Sequence, residues 1–266
     1  MGLRVVKAHA YGNDFLYVRG AEIAAARVDP VAFARRVCDR HRGIGGDGLI
    51  LYSQTDEGAR MRLLNADGGH AEVSGNGVRG LAALIARERG IRFGPVTVHT
   101  DAGVKRLHLL EIDPARRFLF RADMGAPTDV QPRTLDVAGE RIDVVSMRVG
   151  NPQCVLLAPL DEARLHRLGA ALQHHAAFPD AVNFEIAQLD PPDLVSILIW
   201  ERGVGPTQSS GTGSCAAAIA AIVTAGASTR VRVRAPGGEQ LVEWPDRENV
   251  FLTGWAEVVL DGEWLG

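Results

Sequence analysis

Residues 74–83 read Ser74-Gly75-Asn76-Gly77-Val78-Arg79-Gly80-Leu81-Ala82-Ala83, and residues 210–218, about half a chain later, read Ser210-Gly211-Thr212-Gly213-Ser214-Cys215-Ala216-Ala217-Ala218. Each stretch is a glycine-rich turn followed by small and apolar residues. This pattern predicts a buried helix, the first from about Asn76 to Arg87, whose first turn has free backbone N–H groups. Such helix ends bind carboxylate or phosphate groups. The chain is therefore predicted to be built from two related halves, each with one potential anion site.

The repeat extends beyond these two helices. Gly12-Asn13-Asp14 is matched by Gly150-Asn151-Pro152, and the strand-like Met61–Asn65 is matched by Ile197–Glu201, at nearly the same offset. Matched segments at one offset of half a chain predict two pseudo-symmetric domains rather than a solenoid, whose period is far shorter. We place the boundary in the proline-containing connection near Gly125. Residues 1–125, joined by the last strand at about 257–266, form the first domain, and residues 126–256 form the second.

Composition and charge limit the class of protein. The chain has 266 residues, 46% of them hydrophobic and 23% charged, as in globular proteins, and no apolar run is long enough to span a membrane. A net charge of −3 without clustered basic residues argues against nucleic-acid binding and fits a small-molecule substrate. The first residues lack the apolar core of a signal peptide, so we expect a cytoplasmic protein that binds no membrane.

Cysteine and lysine usage limits the chemistry further. Cys38, Cys154 and Cys215 are odd in number and have no CxxC spacing, which argues against a disulfide framework and against a zinc site. Lys7 and Lys105 are the only lysines, so few positions could form a Schiff base with a cofactor such as pyridoxal phosphate. We therefore expect neither a metal nor a cofactor.

The segment between the first strands and the first glycine-rich helix is predicted to contain a shorter helix and a loop. The helix is expected from about Pro30 to Arg40, with Asp29 as its N-cap. The loop Arg42–Gly48 contains four glycines, which we interpret as flexibility or a sharp turn. The sequence assigns it no functional role.

The glycine spacing also raises the possibility of dinucleotide binding. Gly75-x-Gly77-x-x-Gly80 fits the fingerprint of that fold literally. In a dinucleotide-binding domain, however, a hydrophobic strand runs directly into the first glycine within a βαβ unit. Here a polar stretch separates Leu64 from Ser74, and the second copy has the same separation. We therefore reject a dinucleotide site.

The two helix ends together favour stereo-inversion. Pseudo-twofold symmetry can place Ser74 and Ser210 on opposite sides of one bound carbon. A racemase needs one group to remove a proton and another to return it from the opposite face, while helix N-termini stabilise the carboxylate as the α-carbon becomes an anion. The residues themselves therefore point to an amino-acid racemase or epimerase.

Seven motifs, in order and over nearly the whole chain, resemble those of diaminopimelate epimerase. They are Lys7-Ala8-His9-Ala10-Tyr11-Gly12-Asn13-Asp14-Phe15, Asn65-Ala66-Asp67-Gly68, Gly75-Asn76-Gly77-Val78-Arg79, Gly150-Asn151-Pro152, Val182-Asn183, Glu201-Arg202-Gly203-Val204-Gly205 and Ser210-Gly211-Thr212-Gly213. The resemblance implies an α+β fold of two similar domains, each a curled mixed sheet around a central helix, with the site between them. It also implies a cofactor-independent isomerase of lysine and peptidoglycan precursor synthesis that interconverts LL- and meso-diaminopimelate, usually as a homodimer.

The same resemblance implies the substrate-binding residues position by position. They are Asn13, Asn65, Asn151 and Asn183 at the distal end of the substrate, Glu201 and Arg202 beside the reacting centre, and Gly75, Asn76, Gly211 and Thr212 around the α-carboxylate. A single Asn after Gly is more often a turn residue than a ligand. Four amides with an acid–base pair, at matched places in both halves, indicate a site.

Three positions depart from the family pattern. The catalytic pair of the family is two cysteines, and this chain has Ser74 and Ser210 there; Gln153 stands where the family usually has a histidine near the thiols. If a serine hydroxyl ionises as reluctantly as water, its pKa lies roughly 7 units above that of a thiol, which costs on the order of 10 kcal/mol for making the base. A helix dipole contributes only about 0.3–2 kcal/mol. We therefore expect Glu201 to remain as a catalytic group but the activity to be weak or absent.

Three hypotheses stay open. The chain is a diaminopimelate epimerase of reduced activity, a related amino-acid isomerase or dehydratase, or a non-catalytic amino-acid-binding protein. Similar two-half folds accept Ser or Thr at one of the two catalytic positions, which keeps the second hypothesis open. Deuterium incorporation at the α-carbon of LL-diaminopimelate would separate them.

Overall fold

The structure is a computed structural model that describes residues 2–190 and 193–266 of the chain. The helices of these residues are α1 (Gly20–Ala25), α2 (Pro30–Val37), α3 (Gly75–Arg89), α4 (Glu162–Leu172) and α5 (Gly211–Thr224). None of these helices is long and apolar enough to cross a membrane. The strands are β1 (Leu3–Ala10), β2 (Asn13–Arg19), β3 (Gly48–Thr55), β4 (Gly58–Asn65), β5 (His70–Ala71), β6 (Gly94–Thr100), β7 (Gly103–Ile112), β8 (Phe118–Gly125), β9 (Thr128–Val137), β10 (Glu140–Val149), β11 (Asn151–Leu157), β12 (Asn183–Leu189), β13 (Leu194–Glu201), β14 (Gly205–Thr207), β15 (Arg230–Ala235), β16 (Gly238–Glu243) and β17 (Val250–Trp264).

The chain divides into two compact units. The first comprises the residues up to Ala122 together with Gly254–Gly266, and the second comprises Asp123–Thr253. The last strand, β17, therefore contributes its first residues to the second unit and the others to the first. The sequence-based limits at residues 125, 126 and about 257 lie a few residues away and remain predictions about independently folding domains.

The first unit is built on a mixed sheet. β1 pairs antiparallel with β2 and with the end of β17, and β2 runs parallel to β3. β3 pairs antiparallel with β4, β4 runs parallel to β6, and β6 pairs antiparallel with β7. The short β5 is added antiparallel to β4 immediately before α3 begins.

The second unit repeats these pairings in the same order. β10 pairs antiparallel with β11, β11 runs parallel to β12, and β12 pairs antiparallel with β13. β13 runs parallel to β15, β15 pairs antiparallel with β16, and the short β14 is added to β13 immediately before α5. The predicted α+β fold of two pseudo-symmetric halves is confirmed.

The two glycine-rich stretches form the central helices. Every residue of Asn76–Ala86 in α3 is buried, and so is every residue of Gly213–Ile222 in α5. A helix that is buried on all faces must be enclosed by other elements of the core. α3 contacts β1, β2, β4, β6 and β7 of its own unit, and α5 contacts β10, β11, β12, β13, β15 and β16 of its own. Each unit therefore has a sheet curled around one helix, as predicted.

Small residues let the sheet come close to the helix. A Cβ on Gly80 of α3 would clash with the hydroxyl of the buried Tyr17 on β2. That hydroxyl donates a hydrogen bond to the carbonyl oxygen of Gly77 at 3.0 Å, inside the first turn. The strand that presents Tyr17 also begins with Asn13, so this contact fixes the helix start relative to a predicted site residue.

The prediction for α2 is correct at its start and wrong at its end. Asp29 caps the helix, accepting a hydrogen bond from the backbone N–H of Ala32 at 3.0 Å. The helix ends at Val37, not at Arg40, because the N–H groups of both Ile44 and Gly45 bind the Val37 carbonyl. The chain thus leaves the helix early.

Candidate functional site

Ser74 is the N-cap of α3. Its backbone is extended, with φ −128° and ψ 125°, and its Oγ accepts a hydrogen bond from the N–H of Gly77 at 3.2 Å. The Ser74 carbonyl accepts from the N–H of Val78 at 2.8 Å. The N–H groups of Gly75 and Asn76, at the first two helical positions, have no partner within the helix. This end can bind an anion through those two amides.

An amide chain joins two predicted site residues at the start of α3. The Nδ2 of the buried Asn76 donates to the Oδ1 of Asn13 at 3.2 Å, and the Nδ2 of Asn13 donates to the Oδ2 of Asp47 at 2.6 Å. The guanidinium of the buried Arg79 donates to the Oδ1 of Asn76 at 3.2 Å. Asn13 and Asn76 are therefore brought together, and Asp47 and Arg79 orient them.

Asp47 is itself fixed by an ionic cluster. Its carboxylate accepts from the backbone N–H of Asp14 at 3.0 Å and from Arg40 at 2.8 Å. Arg40 and Lys7 also bind the Asp14 carboxylate, at 2.7 and 2.8 Å. Burial opposes ionisation of Asp14, but hydrogen bonds from Arg40 and Lys7 outweigh it and lower its pKa. Asp47 lies in the glycine-rich loop Arg42–Gly48, which the sequence predicted to be flexible or a sharp turn. That interpretation missed the role of Asp47 in anchoring Asn13.

Asn65 pairs with Gly48, the residue after Asp47, but its side chain has no hydrogen bond to this amide chain among the described residues. It is the last residue of β4 and is exposed, with its backbone N–H bound to the carbonyl of Gly69 at 2.8 Å. Its own carbonyl accepts from the N–H of Gly68 at 2.8 Å. The structure therefore shows Asn65 closing a tight turn, with its side chain at the surface of the first unit.

Ser210 caps α5 as Ser74 caps α3. Its backbone has φ −137° and ψ 127°, and its Oγ accepts from the N–H of Gly213 at 3.1 Å. The Ser210 carbonyl accepts from both the N–H and the hydroxyl of Ser214, at 3.0 and 2.7 Å. Gly211 and Thr212 occupy the positions of Gly75 and Asn76, so their N–H groups have no partner within the helix.

A second amide chain reaches the start of α5. Gln153, which is fully buried, donates through Nε2 to the Oδ1 of Asn151 at 2.6 Å and to the Oγ1 of Thr212 at 3.0 Å. The predicted site residues Asn151, Gln153 and Thr212 are therefore joined. The Gln153 Oε1 has no hydrogen-bond partner among the described residues.

Asn183 holds the main chain near two charged residues. Its Nδ2 donates to the carbonyl of Pro152 at 2.9 Å, and its Oδ1 accepts from the backbone N–H of Arg202 at 2.9 Å. The Arg202 guanidinium in turn donates to the carbonyl of Asp180 at 3.1 Å. Because both ends of the Asn183 amide bind backbone groups, the side chain fixes the segment that follows Glu201, the last residue of β13.

Glu185 is a functional candidate that the sequence analysis missed. It lies on β12, its side chain is fully buried, and neither carboxyl oxygen has a hydrogen-bond partner among the described residues. Its Oε1 lies 2.6 Å from the point where a Cβ on Gly213 would stand, and the Cβ of Ser210 lies 3.2 Å from the same point. Burial, and secondly the charge of Glu201, raise the pKa of this carboxyl well above its usual range.

The residues that the sequence analysis missed left different signals. Glu185 is the one charged residue of the otherwise apolar Phe184–Ala187, a conflict with a buried strand that could have been noticed. Asp47 follows two glycines and gave no pattern. Arg79 is the one charged residue of the otherwise small and apolar Gly77–Ala86, the buried part of its helix, which is a conflict of the same kind as that of Glu185.

Each helix start combines a turn that is able to bind a carboxylate with a serine hydroxyl. The two free N–H groups of the first turn and the positive end of the helix dipole attract an anion. The adjacent serine hydroxyl can donate or accept one hydrogen bond but is a poor base, since its pKa is far above that of a thiol. The arrangement is therefore suited to binding an amino acid by its carboxylate, and less suited to removing the α-proton.

Comparison with known proteins identifies relatives over the whole chain. The profile of the family described as Diaminopimelate epimerase matches residues 5–130 and 145–259. A diaminopimelate epimerase of Desulforudis audaxviator is 40% identical over 278 residues, which cover 99% of this chain and 99% of the relative. A diaminopimelate epimerase of Desulfitobacterium hafniense is 36% identical and covers 98% of this chain and 97% of the relative.

Solved structures with low sequence identity share the fold. A phenazine biosynthesis protein of the PhzF family from Bacillus anthracis superposes with a TM-score of 0.71 at 16% identity, covering all of both chains. A hydroxyproline epimerase from Agrobacterium vitis superposes with a TM-score of 0.70 at 15% identity, covering 98% of this chain and 90% of that one. The chain therefore shares its fold with these two proteins.

Proposed function

The chain belongs to the diaminopimelate epimerase family, an isomerase of the amino-acid racemase and epimerase class, and from this premise we propose that it binds LL- and meso-diaminopimelate but epimerises them weakly or not at all. One observation carries the proposal: the same serine-capped helix start, with an amide chain beside it, occurs in both units. The caps and amides serve binding, whereas the two serines replace the proton-transfer groups.

The binding half of the proposal assigns one role to each set of residues. The helix starts would hold the α-carboxylate, the asparagines would hold the distal amino and carboxyl groups, and the charged pair would lie beside the reacting carbon. The residues are Gly75, Asn76, Gly211 and Thr212 for the carboxylate, Asn13, Asn65, Asn151 and Asn183 for the distal groups, and Glu201 and Arg202 for the charged pair. The hydrogen bonds of Asn13 and Asn151 support this assignment, because each is oriented before a ligand arrives.

The catalytic half of the proposal follows from proton affinity. Ser74 and Ser210 would stand where the reaction needs a base and an acid, with Glu201 and Gln153 nearby. Making an alkoxide in place of a thiolate costs on the order of 10 kcal/mol. At about 1.4 kcal/mol per factor of ten in rate, such a cost lowers epimerisation by several orders of magnitude.

The biological setting is also part of the proposal. We expect a cytoplasmic homodimer that serves lysine biosynthesis and needs neither metal nor pyridoxal phosphate. Lysine usage supports the last point: Lys7 is held by the Asp14 carboxylate at 2.8 Å and by the carbonyl of Gly45 at 2.9 Å, so it is tied to structure. The remaining lysine, Lys105, lies on β7.

A second candidate function is a non-catalytic amino-acid-binding protein. The capping geometry favours it, because serine is a strong N-cap and both serines are used in that role. In this case the paired replacement would preserve the anion-binding turns while removing the chemistry. A related isomerase or dehydratase remains a third candidate, to be distinguished by its products.

The test combines binding with proton exchange. Calorimetric titration with meso-diaminopimelate should show saturable binding, and Asn151→Ala should weaken it about tenfold because the distal groups of the ligand lose an amide that Gln153 orients. Asn249→Ala, outside the amide chains, is the matched control and should bind as the unaltered chain does. Lack of binding at millimolar ligand would refute the substrate assignment.

Proton exchange tests the activity. NMR in deuterated water follows the incorporation of deuterium at the α-carbon of LL-diaminopimelate, which we expect to be slow or absent. Rapid conversion of LL- to meso-diaminopimelate would refute the proposal that the activity is reduced.

A further inference from the structure

The hydrogen bonds of the amide chain at the start of α3 all run in one direction. The Arg79 guanidinium donates to the Oδ1 of Asn76 at 3.2 Å, and the Nδ2 of Asn76 donates to the Oδ1 of Asn13 at 3.2 Å. The Nδ2 of Asn13 then donates to the Oδ2 of Asp47 at 2.6 Å. A guanidinium can only donate and a carboxylate can only accept, so the two ends of this amide chain are of opposite kinds.

The two charged ends fix which way the Asn13 amide points. An amide group has a donor and an acceptor of nearly the same shape, so its partners decide its direction. If the Asn13 amide were turned over, its oxygen would face the Asp47 carboxylate and its nitrogen would face the Nδ2 of Asn76. Both hydrogen bonds would be replaced by contacts between groups of the same kind. Asn13 therefore has one favourable direction.

The amide chain of the second unit has no such charged ends. Gln153 Nε2 donates to the Oδ1 of Asn151 and to the Oγ1 of Thr212, and neither partner is charged. A hydroxyl can donate as well as accept. If the Gln153 and Asn151 amides turned over together, the Gln153 oxygen could accept from the Asn151 nitrogen and from the Thr212 hydroxyl. The recorded hydrogen bonds therefore fix the amide direction in the first unit and leave it open in the second.

The fixed direction decides what Asn13 can offer to a ligand. Asn13 is only partly buried, and its nitrogen and its oxygen each make one recorded hydrogen bond. One N–H and one oxygen lone pair therefore remain. The N–H suits a carboxylate, and the oxygen suits an ammonium group. An amide held in one direction can distinguish a ligand that carries both groups from one that carries carboxylates alone.

We propose that Asp47 is a positioning residue for ligand recognition: it holds the Asn13 amide in the direction in which its oxygen accepts from an ammonium group of the ligand and its nitrogen donates to a carboxylate. This rests on the proposed function, which assigns Asn13 to the distal amino and carboxyl groups of diaminopimelate. Asp47 acts through Asn13, and it is itself held by Arg40 at 2.8 Å and by the backbone N–H of Asp14 at 3.0 Å. Asp47 thus sets how strongly the first unit prefers an amino acid to a simple dicarboxylate.

NMR of the ligand-free chain tests the direction of the amide. The chain has six asparagines, so labelling their side chains with nitrogen-15 gives six amide signals, and Asn13→Ala identifies the one from residue 13. The hydrogen bond to the Asp47 carboxylate should move one N–H proton of Asn13 downfield and slow its exchange with water. Asp47→Ala should abolish both effects. Asp39→Ala is the matched control, because Asp39 binds the backbone N–H groups of His41 and Arg42. An Asn13 signal that is the same in Asp47→Ala as in the unaltered chain would overturn the proposal.

Calorimetric titration with two ligands tests the effect on recognition. Pimelate has the chain length and both carboxylates of meso-diaminopimelate but lacks its two ammonium groups. The unaltered chain and Asp39→Ala should both bind meso-diaminopimelate more tightly than pimelate. Asp47→Ala should lower this preference, the ratio of the two Kd values, at least threefold, because the Asn13 amide can then turn its nitrogen toward the ammonium group. A loss of loop structure alone would weaken both ligands by the same factor, so an unchanged ratio would overturn the proposal.

Asp47→Asn separates positioning from direct contact with the ligand. The oxygen of the new amide can accept from Asn13 and from the backbone N–H of Asp14, while Arg40, whose side chain is mostly exposed, can move away from the new nitrogen. The ratio of Kd values should therefore stay within twofold of that of the unaltered chain. If Asp47→Asn loses the preference as Asp47→Ala does, the charge contacts the ammonium group itself and the positioning role is overturned. A chain that does not bind meso-diaminopimelate refutes the proposed function instead, and the NMR result still decides whether Asp47 fixes the amide.

Discussion

The starts of α3 and α5 have the same backbone but rest on different residues. In both, a serine caps the helix and accepts from the N–H three residues on, at 3.2 Å from Gly77 and 3.1 Å from Gly213. Beneath Gly77 lies Ile50, whereas beneath Gly213 lies Glu185. The repeat has thus kept the serine-capped turn in both units and an ionisable group beneath its glycine in only one.

The side chains around the starts of α3 and α5 also differ. Phe15 packs near Gly77, with its ring 3.6 Å from the position of an added Cβ, while the matching strand position near α5 is Gln153. The α3 end is oriented by Asn76, Arg79 and Asn13, whereas the side chains beneath Gly77, Phe15 and Ile50, are apolar. Two helix starts with the same capped backbone can therefore differ in how readily they hold a proton. Inversion by a pseudo-symmetric pair requires that each of the two ends can take up or release a proton.

The largest expected effect comes from restoring both thiols. Ser74→Cys together with Ser210→Cys should raise LL-to-meso epimerisation by several orders of magnitude, since each thiol removes most of the pKa barrier of a hydroxyl and lies at a helix N-terminus. Gln153 in place of histidine is expected to keep the rate below that of the family. Chiral chromatography of the products measures the effect.

The single substitutions are the matched controls for this experiment. Inversion needs a proton abstractor and a proton donor on opposite faces, so either Ser→Cys change alone should recover far less than the pair. A single thiol is expected to exchange the α-proton at most. If the double variant binds diaminopimelate but neither exchanges nor inverts it, the binding-protein function replaces the epimerase.

A smaller effect is expected from exchanging the residues beneath the two ends. Glu185→Ile should stabilise the chain by about 1–3 kcal/mol at neutral pH, because it removes a buried acid without a partner. Ile50→Glu should destabilise it by at least as much. Urea unfolding at several pH values measures both changes, and Glu185→Gln, which cannot ionise, serves as the control for charge.

The pH dependence of this gain has a definite sign. The raised pKa means that the folded chain keeps the Glu185 proton where the unfolded chain has lost it, so the free energy of unfolding falls as pH rises above the unfolded pKa of about 4.3. The gain in free energy of unfolding from Glu185→Ile should therefore be smallest at acidic pH. It should increase as the pH rises and become constant above the raised pKa of Glu185. An advantage that is constant with pH would show that Glu185 titrates normally.

Much of the fold could be predicted from the sequence because the signal was repeated. Two glycine turns, each followed by a run of small apolar residues, specify helices that only an enclosing sheet can bury, and the constant offset specifies the pseudo-symmetry. The end of α2 could not be predicted, since it depends on the N–H groups of Ile44 and Gly45 returning to Val37. Such contacts between distant loop residues leave no periodic pattern.

The candidate site was predictable in part. The asparagines and serines are found by motif, and the structure joins Asn13 to Asn76 and Asn151 to Gln153. Sequence spacing could not show that Asp47 holds Asn13, because the ionic cluster is assembled from four separate segments. Nor could it show that the Glu185 side chain points at Gly213, since this depends on strand register.

The smallest expected effect compares the two caps. Ser74→Ala should cost about 1 kcal/mol of unfolding free energy, the usual value of an N-cap hydrogen bond. Ser210→Ala should cost about the same, because its bond from the N–H of Gly213 is the equivalent one and neither carboxyl oxygen of Glu185 has a hydrogen-bond partner to lose among the described residues. In the Glu185→Ile background the two alanine substitutions should again cost the same, which urea unfolding of the double variants measures as the absence of a coupling energy between residues 185 and 210. If Ser210→Ala costs clearly more than Ser74→Ala in the unaltered chain, but not in the Glu185→Ile background, the hydroxyl and the carboxyl interact. In that case the two helix starts would differ in energy as well as in the residues that lie beneath them.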